Sequence, residues 1–430
     1  MNLTASPDLM RKALRYRWLI FSLLSASYIL VYFHRTCPAV LAMEIMRDLK
    51  TGGTLTGLLG AAYFYPYALM QLPAGLLSDS WGPRKTITLF FFVAFIGSMV
   101  LGLSPSVSWA IVGRTLVGAG VAMLFVPTMK ILAEWFHRNE FARMTGLLMA
   151  MGGVGSLSAA VPLVWLSTWI GWRNSFIAIG LFTLILALLV WIFVRNRPSD
   201  FHWPSPAETE SSGKQAIGLL QGIGQVVACP PFWVLAVWFF FNCGIFFSFA
   251  GLWGGPFLQN LYGMDKVESG NILSMPAMGM VLGSPFLSFL SDRVFRARKT
   301  VLLISGGGLI FLTGMLAFYT DKIPVPGLYL IYFFMGLFAS AVVVIAFTMN
   351  KELFPVRIAG TATGLINLFP FVGGAVFQPL LGHILEKHGR LDGAFTLAGY
   401  RSAFLLLFVS SLVAFGAAWL SKETLIVKKS

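Results

Sequence analysis

Two arginines stand within long apolar runs of this sequence, where a charged side chain is costly. Arg35 lies 18 residues after Arg17 in one run, and Arg114 lies in another. A charge at the centre of a membrane helix costs about 2.5 to 3.5 kcal/mol on insertion scales, so one that is kept there is a candidate functional residue. No Asp or Glu occupies the middle of any apolar run. Because guanidinium groups bind carboxylate or phosphate oxygens in a bidentate fashion, the two arginines indicate an anionic ligand.

Tyrosine, amide and other aromatic side chains recur at helical spacing near the arginines. Tyr28 and Tyr32 fall on the same helical face as Arg35, at intervals of seven and three residues. A buried amide needs a hydrogen-bond partner, which a ligand can supply, whereas an aromatic stripe is explained as well by packing. The further candidates for ligand contact are Tyr63, Tyr67, Gln71, Asn242, Phe246, Phe249, Trp253, Asn367, Phe371 and Gln378.

His34 and Arg114 each have two interpretations. Imidazole titrates near neutral pH, so His34 could take part in proton coupling, or it could only orient Arg35. Arg114 could contact the ligand, or it could anchor the backbone of the first helix by a hydrogen bond. Lys130 lies sixteen residues after Arg114, about 160° further round a helix, so a straight helix cannot point both into one cavity. Arg35 is therefore the main candidate for an anion site.

The composition requires that the elements holding these residues lie in lipid. Hydrophobic residues make up 57% of the chain and charged residues 11%, and the mean hydropathy is +0.78. These values exclude an ordinary soluble protein. Apolar runs of about 18 to 28 residues are long enough for helices to cross a hydrocarbon layer about 30 Å thick. The predicted fold is all-α, with twelve transmembrane helices at roughly 18–46, 55–78, 86–104, 109–133, 143–168, 174–194, 231–260, 269–290, 300–319, 327–349, 359–384 and 399–420.

An internal repeat divides the predicted helices into two six-helix bundles. Ser78–Asp79 recurs as Ser291–Asp292, and Gly171-Trp172-Arg173 recurs as Gly399-Tyr400-Arg401, each before corresponding apolar runs. Parallel repeats of this kind place a solute near the bilayer midplane, between halves that rock against each other. The boundaries that we expect are 1–194 for the N-terminal bundle, 195–228 for a mobile cytoplasmic linker rich in Pro and Glu, and 229–430 for the C-terminal bundle.

Lys and Arg are distributed unevenly between the two ends of the predicted helices. With the N-terminus inside, 20 of the 31 basic residues fall in cytoplasmic segments and 8 in outer ones, and the other three are Arg35, Arg114 and Lys130. This asymmetry is typical of the positive-inside rule, which explains the net charge of +14 better than nucleic-acid binding does. We expect an integral multi-pass protein of a bacterial inner membrane with both termini in the cytoplasm.

The loop after the second predicted helix resembles the signature loop of the major facilitator superfamily. It reads Gly75-Leu76-Leu77-Ser78-Asp79-Ser80-Trp81-Gly82-Pro83-Arg84-Lys85, and a degenerate copy begins at Ser291-Asp292-Arg293. The resemblance covers essentially the whole chain. It implies the major facilitator fold and does not specify a substrate.

The same resemblance implies that this loop and its copy serve as gates. Gly75 would permit close helix approach and Gly82 a tight turn. Asp79, with Arg84 beside it, would contact the start of the eleventh helix near residues 359–360. Asp292 would make the equivalent contact with the fifth helix near Ala142.

A finer resemblance is to the organic anion:cation symporters and sugar-phosphate permeases. Tyr32-Phe33-His34-Arg35 is similar to their Tyr-x-Asp-Arg element, and the segment from Phe125 to Phe136 is similar to their fourth helix and loop. The chain departs from that pattern at two positions. His34 replaces the acidic residue before the arginine, and Val121 stands seven residues after Arg114, where some proton-coupled members carry glutamate. The resemblance implies an anionic substrate and leaves the coupling ion open.

These features together predict a secondary active transporter of a small organic anion, a carboxylate ahead of a phosphate ester. We expect alternating access, with uptake coupled to a proton or sodium gradient. The alternatives are a proton-antiport exporter of amphipathic compounds or drugs and a non-transporting membrane sensor. No enzyme is predicted, because the sequence lacks a Walker motif and any cluster with metal-ligand spacing. We expect a monomer in membrane lipid that needs no cofactor, metal or nucleic acid.

Overall fold

The chain is helical along most of its described length. The computed structural model describes residues 7–204, 219–391 and 393–425. In the first half the helices are α1 (Pro7–Thr36), α2 (Pro38–Asp48), α3 (Gly53–Ser80), α4 (Pro83–Gly102), α5 (Val107–Ala122), α6 (Phe125–Trp135), α7 (Arg138–Ser158) and α8 (Val161–Phe193). In the second half they are α9 (Leu219–Val227), α10 (Pro230–Ser248), α11 (Gly254–Tyr262), α12 (Lys266–Phe289), α13 (Arg298–Phe318), α14 (Val325–Met335), α15 (Val343–Glu352), α16 (Val356–Ile366), α17 (Leu368–Lys387) and α18 (Leu397–Leu420). A short antiparallel hairpin of β1 (Arg390–Leu391) and β2 (Ala394–Phe395) precedes α18.

The helices of the described residues make twelve crossings. Among the described residues, ten helical stretches are long and apolar enough to span a membrane. One of them, α8, contains Gly171 with a φ of +77°, a left-handed backbone that ends one crossing and begins the next. The fifth crossing is therefore α7 with the first part of α8, and the sixth is the rest of α8. Since α3, with its 28 residues, supplies the second crossing, the predicted fold of twelve transmembrane helices is confirmed.

Irregular backbone interrupts several crossings midway. Pro38 begins α2 and has no backbone N–H, so the His34 carbonyl loses the donor that an unbroken helix would offer. In the second half, the corresponding crossing contains a π-helical stretch between α10 and α11, at Phe249–Trp253. Further π-helical stretches lie at Leu290–Val294 and Gly336–Ala341. Such irregularities are frequent at functional sites, and in a membrane other groups must satisfy the freed backbone atoms.

The two ends of the bundle differ in how the halves meet. We call the end at which α3 and α18 finish the terminal face, and the end at which α2 finishes and α12 begins the far face. At the far face, Lys266 Nζ lies 2.5 Å from Glu44 Oε1 and 2.6 Å from Ser167 Oγ. The backbone N–H of Thr54 donates to Glu386 Oε2 at 3.0 Å. Each of these bonds joins one half to the other and closes the far face.

Close contact between the halves ends before the terminal face. Asn367 Nδ2 donates to Gln71 Oε1 at 3.1 Å, nine residues before the end of α3. Beyond this pair, a Cβ built on Gly75, Gly146, Gly360 or Gly364 would meet none of the described atoms outside its own helix within 4 Å. The structure is therefore closed at the far face and open at the terminal face.

The predicted linker, 195–228, lies partly outside the described residues, which omit 205–218. Its first part contains a 3-10 turn that places Phe201 against Tyr16 of α1, with ring centroids 5.2 Å apart. Its last part forms α9, which packs against α16. The composition of this segment indicated a mobile chain, but its described ends are packed, one on each half.

Candidate functional site

Arg35 lies at the end of α1 within a ring of aromatic side chains from both halves. Its guanidinium carbon is 4.5 Å from the ring centroid of Tyr32 and 5.1 Å from that of Tyr67, both in the first half. Phe371 at 5.1 Å and Phe247 at 5.7 Å complete the ring from the second half. These are cation–π distances. We call Tyr32, Tyr67, Phe247 and Phe371 the aromatic cage.

The cage surrounds a cation that has no acidic partner in the described part of the chain. Only 8% of the surface of Arg35 is exposed. The ion pairs of the described residues do not include Arg35, and its Nε has no hydrogen-bond partner among them. A buried cation without a counter-charge is costly, and aromatic rings offset only part of that cost. A bound anion would supply the missing partner.

Gln71 and Asn367 place an amide pair beside the cage. Asn367 comes from the second half and donates to Gln71 Oε1, as described above. Gln71 is 8% exposed, and its Nε2 has no partner among the described residues. Because Gln71 follows Tyr67 by one turn of α3, this free donor lies on the same side of the helix as the cage.

Arg114 has a structural task at the break of the first crossing. Its Nη1 donates to the His34 carbonyl at 2.9 Å, which replaces the helical donor that Pro38 lacks. Arg114 is 2% exposed, and the ring of Tyr63 lies 5.1 Å from its guanidinium carbon. The structure thus shows the backbone anchor, while Arg114 Nε and Nη2 have no hydrogen-bond partner among the described residues, so contact of Arg114 with a ligand stays a prediction.

His34 is adjacent to Arg35 in sequence, but its ring lies apart from the cage. The side chain is fully buried, and neither ring nitrogen has a hydrogen-bond partner among the described residues. The ring meets Phe33 edge-on, with centroids 5.8 Å apart. The role of His34 in proton coupling stays a prediction.

Two further tyrosines extend the aromatic surface around the cage. The ring of Tyr28 lies 5.4 Å from that of Tyr32, one turn nearer the terminal face. The Tyr63 ring stacks 5.5 Å from Tyr67, and its hydroxyl donates to the Val31 carbonyl at 3.1 Å. Tyr28 therefore continues the cage, whereas Tyr63 ties α3 to α1.

Three candidates of the second half donate to backbone carbonyls. Asn242 Nδ2 bonds to Ala339 O at 2.7 Å, and Gln378 Nε2 bonds to Phe247 O at 2.9 Å. Trp253 Nε1 bonds to Gln378 O at 2.8 Å. The amides do need partners, as the sequence indicated, but the partners are main-chain atoms, and these bonds hold the second half together.

In the seventh crossing, the ring that lies against Arg35 is that of Phe247. Phe247 does not belong to the predicted helical stripe through Phe246 and Phe249. Phe249 is fully buried and packs within the core of the second half. The segment from Trp238 onwards carries aromatic residues on every side. Periodicity therefore could not select which of these rings faces the first half.

The loop after α3 is a tight turn, as predicted. Gly82 has a φ of +86°, and a Cβ there would lie 2.8 Å from Asn196 Nδ2, so the position favours glycine. The backbone N–H of Arg84 donates to Asn196 Oδ1 at 2.9 Å, and its guanidinium carbon lies 4.3 Å from the Trp191 ring. The loop is thus anchored on the end of the sixth crossing.

The contact of Asp79, at the end of α3, differs from the one that the resemblance implied. Asp79 forms an ion pair with Lys130 of α6 and not with the region 359–360. The close helix approach expected at Gly75 is also not made, because the halves stand apart at the open terminal face.

In the loop copy, Asp292 pairs with Arg298, which also lies 3.3 Å from Glu352. The side chain of Ala142, near which Asp292 was expected, lies outside the described part of the chain.

A known protein family matches the chain from its first crossing to its last. The sequence profile of the Major Facilitator Superfamily matches residues 24–377 and, in an overlapping match, 254–426. The chain belongs to the Major Facilitator Superfamily. Its members are transporters, so this chain is a membrane transporter and not an enzyme.

Curated relatives within the superfamily match nearly the full chain at low identity. A probable sulfoacetate transporter of Cupriavidus necator is 24% identical over 94% of this chain and 96% of its own length. The hexuronate transporter of Escherichia coli K12 is 24% identical, with 88% and 90% covered. A probable galactarate/D-glucarate transporter of the same strain is 26% identical, with 91% and 93% covered.

Solved structures of the superfamily share the fold. A bacterial homologue of the human lysosomal transporter Spinster, in an inward-facing and unoccupied conformation, has a TM-score of 0.74 at 19% identity. That match covers 94% of this chain and 97% of the other. A D-xylose-proton symporter has a TM-score of 0.70 at 14% identity, with 94% and 98% covered. These identities establish the architecture only.

Proposed function

We propose that this transporter carries a small organic anion by alternating access, and that Arg35 holds the charge of the anion. The observation that carries the proposal is a buried guanidinium that lies between aromatic rings of both halves and has no acidic partner among the described residues. Three relatives are named for sulfoacetate, hexuronate and galactarate or glucarate, all of which bear a carboxylate. This favours a carboxylate over a phosphate ester.

In the proposed complex, the substrate lies between the two halves. Arg35 binds the anionic group, and the hydroxyls of Tyr32 and Tyr67 and the free Nε2 of Gln71 are donors close to it. Asn367 contributes by holding the Gln71 amide. The remaining candidates, Arg114, Tyr63, Asn242, Trp253 and Gln378, position the helices through their backbone bonds and do not touch the substrate.

The proposed transport cycle exchanges the open and closed ends. The far face opens when the bonds of Lys266 to the first half and of Glu386 to Thr54 break. The terminal face closes when Asp79 leaves Lys130 and contacts the start of α16, with Gly75 allowing the approach. Asp292 moves towards the fifth crossing in the same step.

The excess of Lys and Arg on terminal-face segments supports a cytoplasmic terminal face in a bacterial inner membrane. In that orientation the structure is open to the cytoplasm. Uptake coupled to a proton or sodium gradient completes the proposal, with His34 as the candidate for proton coupling. Uptake into proteoliposomes under an imposed pH gradient, by wild type and by His34→Gln, tests that coupling separately.

The decisive experiment is a thermal-unfolding screen of the purified protein with acetate, succinate, citrate, glycerol 3-phosphate and, as a cation, choline. A ligand at 100 times its dissociation constant stabilises a protein by about 2.7 kcal/mol, so a bound anion is readily detected. At least one anion should raise the unfolding temperature of the wild type, and Arg35→Gln should abolish that rise.

Arg293→Gln is the matched control, because it makes the same change on an exposed arginine of the loop copy. It should keep the full response. Stabilisation by choline alone would overturn the proposal, and so would a folded Arg35→Gln variant with undiminished binding and transport.

A further inference from the structure

The aromatic cage gives a ligand far more apolar surface than polar partners. Two of its four rings, Phe247 and Phe371, have no polar atom, and their planes lie 8° from parallel with centroids 6.1 Å apart. The Phe371 ring also lies 4.2 Å from that of Tyr67, and the Phe64 ring of the first half lies 4.9 Å from that of Phe247. The second half therefore faces Arg35 with a continuous aromatic wall.

Most polar side chains around this wall are already committed to the protein. The amide N–H groups of Asn242 and Gln378 bond to main-chain oxygens at 2.7 and 2.9 Å. The Tyr63 hydroxyl donates to Val31 O, and Asn367 donates to Gln71. The groups left to a ligand are the Arg35 guanidinium, the two cage hydroxyls, the Gln71 amide nitrogen and Gln378 Oε1, which has no partner among the described residues. All but the last can donate, and these donors together suit one anionic group.

We infer that the site selects a small anion with a compact apolar body, such as an aromatic or saturated-ring carboxylate or sulfonate, over a polyhydroxylated sugar acid of the same charge. This inference rests on the proposed function, since it assumes that Arg35 binds the anion. The inference concerns the chemistry of the part of the substrate that Arg35 does not contact.

Two physical effects carry the selection. Each sugar hydroxyl that enters the cage loses its bonds to water, and the second-half amides named above offer it only the unpartnered Gln378 Oε1 as a replacement. An apolar pocket disfavours a single added hydroxyl by up to about 100-fold. A flat apolar body instead gains stacking contact with Phe247 and Phe371 while its charge reaches the guanidinium.

The test measures the binding of three monoanions to the purified full-length protein by titration calorimetry. Cyclohexanecarboxylate and D-glucuronate both carry one carboxylate on a six-membered ring, and they differ chiefly in hydroxylation. Benzoate adds a flat ring of similar size. Both apolar anions should bind at least tenfold more tightly than D-glucuronate.

Binding of D-glucuronate as tightly as the two apolar anions would overturn the inference and leave the proposed function standing. Binding of a phosphate ester alone would overturn it as well. If no anion binds, the proposed function is overturned, and the inference that rests on it is overturned with it.

A ring deletion in the cage gives a second readout. Phe371→Leu should weaken benzoate binding at least threefold more than acetate binding, because only benzoate has a ring to stack. Phe404→Leu makes the same change in the core of the second half, where Phe404 packs on Phe257, and it should weaken both anions equally or not at all. Equal weakening of benzoate and acetate by Phe371→Leu would contradict a stacking role.

Discussion

The first crossing of each half contains an interruption of the helix, and the two halves stabilise it with different side chains. In the first half, Arg114 donates to the His34 carbonyl beside Pro38. In the second half, the hydroxyl of Tyr332 donates to the Gly254 carbonyl at 2.8 Å, directly after the π-helical stretch. Tyr332 stands 218 residues after Arg114 and Gly254 stands 220 residues after His34, so the fourth and tenth crossings secure the first and seventh within two residues of equivalent points. The hydrogen bond is duplicated, and the charge is not.

This difference separates the scaffold from the site. Because a neutral hydroxyl suffices in the second half, the bond of Arg114 does not require a charge. The same spacing of 218 matches Arg35 with Trp253, whose indole N–H is already bonded to Gln378. The first half thus holds both buried arginines, and Arg35 is the one that lies against the aromatic wall of the second half.

The largest effect that tests this comparison is loss of charge at each of the two buried arginines. Arg35→Gln should weaken binding of the transported anion by at least about 30-fold, because truncating one partner of a buried charged pair costs about 2 to 5 kcal/mol. Arg114→Gln should weaken it less than tenfold, since the anchor keeps an N–H donor and lies on the far side of Tyr63 from the cage. Calorimetric titration with the best anion of the screen measures both. Equal losses in the two variants would place Arg114 in the binding site.

The next effect concerns the hydrogen bonds and the ion pair that join the two halves at the far face. Like the supported carbonyls, they occur at similar positions in the two halves but use different side chains. Lys266 stands 212 residues after Thr54, and each begins the crossing that bonds to the other half. Lys266→Met removes a partly buried cation and its two bonds. We expect it to destabilise the closed far face by about 1.5 kcal/mol, roughly a tenfold shift towards the open form.

Glu386→Gln keeps an acceptor oxygen for the Thr54 N–H, so it should shift the same equilibrium by less than about 1 kcal/mol. Spin-label distances across the far face report the open fraction in both variants. A larger opening in Glu386→Gln than in Lys266→Met would reverse the ranking of the two ties.

A smaller effect is expected at the duplicated hydrogen bond itself. Tyr332→Phe removes the donor to Gly254 and should lower the free energy of unfolding by about 0.6 to 1.7 kcal/mol, from the average to the maximum measured for interhelical hydrogen bonds in a membrane protein. Tyr319→Phe is the control, because Tyr319 is 53% exposed and should tolerate the change. Reversible unfolding in mixed detergent micelles gives both values. If Tyr332→Phe unfolds with the same free energy as the wild type, the hydrogen bond from Tyr332 to the Gly254 carbonyl does not contribute to stability.

The sequence alone predicted the parts of this comparison that depend on composition and local spacing. Run lengths and hydropathy gave the twelve crossings, and the cost of a midspan charge selected Arg35. It could not give the partners of the buried amides, because Asn242 bonds to a carbonyl 97 residues away, on a backbone distorted by a π-helical stretch. Nor could it select Phe247, since that helix is aromatic all round. The open terminal face is likewise a matter of how whole bundles pack, which local pattern does not encode.

The smallest effect on stability should come from the gate aspartates, and it can separate a static role from a dynamic one. The Asp79–Lys130 pair is exposed, with 71% of the Asp79 side chain accessible, so Asp79→Asn should change the stability of this conformation by less than about 1 kcal/mol. Asp292→Asn leaves Arg298 bonded to Glu352 and should be equally mild. If the aspartates stabilise the conformation that is closed at the terminal face, both variants should nevertheless slow transport several-fold and leave the anion affinity unchanged. Uptake rates and binding constants measured on the same preparations decide this. A loss of affinity without a loss of rate would exclude gating, because neither aspartate lies near the cage.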